Sequence, residues 1–176
     1  MKKIFSFAAV AALLFSTLAS SAQQGKDKSK RPSPPANVSQ AIPSGAVIHI
    51  DYSQPSVKGR VIGENLEPKE GVVWRTGANE ATVFETDKEI KINGQSLPAG
   101  KYGFFTISGK DEWTIIFNKT WDQWGAFDYK SSDDVLRVKV KPVKAAAFSE
   151  KMTFTIDKNG TVNLLWGDIQ VGFEVK

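Results

Sequence analysis

The chain has 176 residues, no cysteine, 23 basic and 19 acidic side chains and a formal charge of +4. Without cysteine, neither a disulfide nor a lipidated cysteine is available, so the fold must rest on an apolar core. The charge is concentrated at the start: from Ala36 onward 17 basic and 18 acidic residues leave −1, and that excludes the concentrated basic field a nucleic-acid binder needs.

Residues 1–22 read as a secretory signal. Lys2 and Lys3 form a positive head, Ile4 to Leu18 an apolar stretch, and Ser20-Ser21-Ala22 a small-residue cleavage site before Gln23. The apolar stretch falls short of the roughly 20 residues that span a bilayer, so an exported chain, periplasmic or secreted, with no membrane span after cleavage is expected. Residues 23–35 are polar and rich in Lys, Ser and Pro, and read as a disordered tether. The domain proper is expected over 36–176.

Within it, apolar residues recur with a period of two. Ile48, Ile50 and Tyr52 share one face of the first run, against His49 and Asp51. Short extended runs at 72–75 and 82–85 flank the turn Thr76-Gly77-Ala78-Asn79. A further run at 89–92 enters the tight pair Asn93-Gly94, and Leu97-Pro98-Ala99-Gly100 turns the chain into 101–107. Trp113, Ile115 and Phe117 then share a face, as do Leu136, Val138 and Val140, and Met152, Phe154 and Ile156. Asn159-Gly160 is another turn, followed by Val162, Leu164 and Trp166 and then by Ile169, Val171, Phe173 and Val175. Residues 145–150 suggest one helical turn at most. Nine or ten short strands with one wet face fit a single antiparallel β-sandwich, with a partly open barrel as the alternative.

Two runs, Asp51 to Arg60 (DYSQPSVKGR) and Val73 to Thr82 (VWRTGANEAT), resemble a bacterial exported family, domain of unknown function 2911. Ile92-Asn93-Gly94, Leu97 to Gly100, Trp113 to Asn118 and Gln123 to Ala126 extend the likeness, which runs from about Ser33 to the C-terminus. The resemblance implies a location in the envelope and no assigned reaction.

Candidate site residues fall in three groups. Arg75, Asn79 and Glu80 lie on one strand–turn–strand junction, where a planar guanidinium could clamp an anion or where the turn could saturate itself. Asp51, Tyr52, Lys58 and Arg60 would supply a neighbouring rim with a basic tip. Trp121 and Trp124 flank Asp122 and Gln123, an arrangement suited to stacking on a sugar or to capping the core. His49 is the only histidine and lies in no metal-ligating or catalytic pattern, so no metal, cofactor or catalytic residue is expected. A non-enzymatic module binding a small molecule, a glycan or an envelope protein is the leading functional reading. The alternative is a hydrolase using a carboxylate pair around Asp51 and Glu80.

Overall fold

The computed structural model describes residues 27–176, so the expected signal and the first residues of the expected tether lie outside the described part. Eleven strands are described: β1 (Pro35–Ala41), β2 (Val47–Ser53), β3 (Val73–Trp74), β4 (Thr82–Thr86), β5 (Ile90–Ile92), β6 (Gln95–Leu97), β7 (Gly100–Ile107), β8 (Trp113–Asn118), β9 (Asp134–Val140), β10 (Val143–Ile156) and β11 (Thr161–Glu174). No described helix is long and apolar enough to cross a membrane.

Seven strands form one antiparallel sheet in the order β1-β2-β4-β7-β8-β9, with β3 also on β7. β7 is long enough for two partners on one edge: β4 pairs with its first half and β3 with Thr106 and Ile107. Residues 75–81 therefore leave the sheet as a bend between β3 and β4. The β10–β11 hairpin packs over this sheet, and the short β5–β6 hairpin turns on Asn93-Gly94, whose φ of 46° and 85° match the two left-handed positions of a tight hairpin turn.

The core lies between the layers. Phe104 packs edge-on against Phe154 at 5.5 Å and stacked against Phe173 at 5.9 Å, while Phe84 meets Phe117 edge-on at 5.0 Å. All five rings are buried. β1 and β9 stand at opposite ends of the large sheet and do not pair with each other. The architecture is an all-β sandwich with antiparallel sheets and no closed barrel.

Four details depart from the sequence reading. β1 is a strand although its sequence, PANVSQA, offers only Ala36 and Val38 to the core; pairing with β2 along its whole length holds it. Residues 145–150, expected to form a helical turn at most, belong to β10, where hairpin pairing with β11 overrides local preference. The two runs expected at 162–166 and 169–175 are one strand, bent at Gly167 with φ +59°, where a Cβ would come within 2.6 Å of Ile62. Finally, the stretch expected as a loose tether lies against the sheet from Asp27 onward. It forms a short 3-10 turn at Lys28–Lys30 and enters β1 at Pro35.

A second, smaller apolar cluster covers the outer face of the sheet. Ala81, Phe105 and Ile116 are buried there beneath Val73, Ile107, Ala126 and Tyr129. The segment between β8 and β9 is thereby folded onto the sheet.

Candidate functional site

The segment 119–133 is pinned at its root by Asn118. This fully buried side chain donates to the Lys130 carbonyl at 2.9 Å and to Asp134 Oδ1 at 2.7 Å, and it accepts the Thr120 N–H at 2.8 Å. Tyr129 packs on Phe105 and donates from its hydroxyl to Asp134 Oδ2 at 2.8 Å. Burial, the carboxylate bond and the nearby negative charge together push the phenol up to about 12, against the opposing Arg137. Further along, a Cβ on Gly103 would meet the Thr120 carbonyl at 2.8 Å. Only glycine lets the loop pass this close over β7.

So held, the loop faces the N-terminal segment across the outer surface of β2 and β4. Between them lies a cleft of about 300 Å³, lined by Lys28, Arg31, Asp51, Glu80, Trp121 and Gln123 among others. Ala81, Val83 and Asp122 also line it.

Both cations of the cleft lie on Glu80, Arg31 through Nη1 alone. Arg31 grips both oxygens of Glu80, at 3.0 and 2.8 Å, and Lys28 lies 3.0 Å from the same carboxylate. Partial burial pushes the Glu80 carboxyl up. The Arg31 bonds, its own backbone N–H and Lys28 outweigh that and hold it at about 2. Arg31 also lies over the ring of Trp124, 5.8 Å from its centre. Asp51 meets His49 Nε2 at 3.1 Å with its side chain 60% exposed, and Asp122 forms no ion pair among the described residues. Gln123 is 6% exposed. Its Nε2 donates to the Thr120 carbonyl at 2.7 Å, which fixes the amide's orientation and leaves Oε1 the one buried side-chain polar atom with no hydrogen-bond partner among the described residues.

The structure brings Asp51, Tyr52, Glu80 and Trp121 to this cleft and places the other candidates elsewhere. Tyr52 contributes a wall only: its ring is in the core against Phe154, and its hydroxyl accepts the Phe154 N–H. The bend at 75–80 straddles two concavities. Glu80 faces the cleft, whereas Arg75 and Asn79 line a second groove of about 200 Å³ with Arg60, Glu67 and Trp166. Arg75 donates to the Asn79 carbonyl at 2.7 Å, across a bend whose Thr76 and Asn79 both have positive φ, and Asn79 Nδ2 donates to the Ser33 carbonyl. Burial pulls the Arg75 guanidinium down, and Glu67 opposes this. Arg60 folds back to donate to the Val57 and Ser56 carbonyls. Lys58 is exposed, its N–H tied to Glu150, and it does not line the cleft. Trp124 is 52% exposed behind Arg31, outside the cleft lining.

Lys28 and Arg31 were hidden from the sequence reading because they fall in a stretch whose composition reads as a tether. Gln123 stood out only as a neighbour of two tryptophans; no pattern of residue types announces an orphaned amide oxygen. Among the described residues, no three His, Asp or Glu side chains gather as a metal would require.

No curated protein and no solved structure matches the chain. A family model does match, over residues 33–175, which is most of the chain and the whole of the sandwich. This chain belongs to the family described as Protein of unknown function (DUF2911).

Proposed function

We propose that the chain is a non-catalytic binding domain of the bacterial envelope, exported by its N-terminal signal, and that its site is the cleft between the N-terminal segment and the loop at 119–133. The observation that carries this reading is the cleft's lining, in which the half-exposed Trp121 ring stands with the side chains of Asp51 and Asp122 and with Lys28 and Arg31. The cleft sits at the low end of the ~300–1,000 Å³ usual for small-molecule sites, which favours a small ligand over an extended protein surface.

The carboxylate-pair hydrolase draws less support. Asp51 and Glu80 line the same cleft, but Glu80 is held ionised at about 2 with both oxygens engaged by Arg31. A general acid for glycoside cleavage needs a raised pKa and a proton to give.

A thermal-shift screen of small metabolites tests the proposal. Ligands that stabilise the protein are expected to lose their effect in Trp121→Ala and to keep it in Arg75→Lys. Stabilisation that survives Trp121→Ala but disappears in Arg75→Lys would move the site to the other groove and overturn the assignment.

A further inference from the structure

The charges of the cleft narrow the ligand. We infer that it takes a zwitterion, an amino acid or a short peptide whose carboxylate meets the basic side chains and whose ammonium meets the acids; the inference rests on the cleft being the binding site. The N-terminal segment brings Lys28 and Arg31 to the cleft. Arg31 gives Glu80 only its Nη1, so its Nε and Nη2 hold no hydrogen bond among the described residues. The Lys28 side chain is 59% exposed and keeps N–H donors beyond its contact with Glu80. Two cations on one carboxylate leave a net charge of +1 on this side. The answering acids come from other elements: Asp122 from the loop at 119–133, exposed and without an ion pair among the described residues, and Asp51 from β2. Asp51 turns Oδ2 to His49, and its Oδ1 has no partner among the described residues.

A ligand of single charge meets opposition here. A bare anion such as phosphate is drawn to Lys28 and Arg31 but shares the cleft with Asp51, Asp122 and Glu80, and a cation without a carboxylate faces both basic side chains. An uncharged ligand strips water from both sets of charges and returns an ionic partner to neither. A ligand carrying both signs pairs each set, through charge-assisted hydrogen bonds that are about twice as strong as neutral ones. Size and polarity agree with this. The cleft, about 300 Å³, suits a molecule as small as an amino acid or a dipeptide, and Trp121, Pro35, Ala81 and Val83 offer apolar surface to its side chain.

Calorimetric titration of the purified protein with leucine, phenylalanine and the dipeptide alanyl-phenylalanine tests this, each beside its N-acetyl derivative, which lacks the ammonium, and its amide, which lacks the carboxylate. At least one zwitterion is expected to bind, and to bind ~10-fold or more tightly than either derivative. Asp122→Asn should narrow its advantage over the N-acetyl form by ~3- to 10-fold, and Lys28→Gln its advantage over the amide by a similar factor. Trp121→Ala should weaken the zwitterion by at least ~5-fold. All three side chains are exposed, so these variants should keep the wild-type melting temperature to within a few degrees. A derivative that binds as tightly as its parent would overturn the inference, because one end of the ligand would then be idle. Binding lost in Trp121→Ala but indifferent to both charge substitutions would also overturn it and leave the cleft as the site. Binding indifferent to all three would overturn it by placing the ligand elsewhere. Silence of every zwitterion ends the inference, and the metabolite screen then decides the cleft on its own.

Discussion

Glu80 is drawn two ways, up by burial and down by Arg31 and Lys28, and its carboxyl settles at about 2 against an ordinary 4.5. A folded-state value below the unfolded one contributes stability that is full above about 4.5 and is lost as pH falls toward about 2. The side chain is 39% exposed, so screening reduces the contribution to about 1 kcal/mol. Glu80→Gln should therefore be less stable than wild type by about that amount at pH 7, and urea melts of the two should converge near pH 2. A gap that persists unchanged at pH 2 would mean that the lost contact is not the ion pair. At Gln123 the expectation is the reverse. Methionine forfeits the bond to Thr120 and also removes the orphaned oxygen, so stability should stay within about 1 kcal/mol of wild type. A loss of several kcal/mol in the same melts would show the amide to be structural. Neither residue's role could be read from its neighbours in sequence: Glu80 answers to Arg31, 49 positions away, and Gln123 is defined by what it lacks.

At the scale of elements, the loop at 119–133 is the piece that turns a sheet face into a cleft, and Asn118 is its root. Removing three buried hydrogen bonds with Asn118→Ala should cost about 2–3 kcal/mol. Amide exchange should accelerate across 119–133 more than in β10 or β11, whose pairing does not involve Asn118; uniform acceleration over the whole sandwich would show that the loop is not a separable unit. Alternation made most of the strands legible, because period-two burial in β2, β4 and the ends of β10 and β11 leaves one apolar face per strand. It failed where tertiary pairing supplies what composition lacks, at β1 and at residues 145–150. It also missed the second apolar cluster, although Phe104-Phe105 and Ile115-Ile116-Phe117 are continuous apolar runs of the kind that marks a strand covered on both faces. That signal, read in full, would have placed a covering segment over β7 and β8. The site was less legible than the fold, since a bend that looks like one cluster in sequence sends Glu80 to one concavity and Arg75 with Asn79 to another.

For the whole molecule, the five phenylalanines between the layers set the stability of the platform on which the cleft is built. Phe104 touches Phe84, Phe117, Phe154 and Phe173, so it joins both layers. Phe104→Ala should cost about 3–5 kcal/mol in denaturant unfolding, enough to unfold a marginally stable domain; a loss below about 1 kcal/mol would contradict a single core spanning both layers. Ligand binding in the cleft is tested most directly by mapping amide and side-chain shifts by nuclear magnetic resonance as the strongest small-molecule hit is titrated in. Shifts that concentrate on the Gln123 side-chain amide, the Trp121 indole N–H and the backbone of 80–83 are the predicted result. Shifts that concentrate instead on Arg75, Asn79 and Arg60, with Gln123 and Trp121 unmoved, would contradict it.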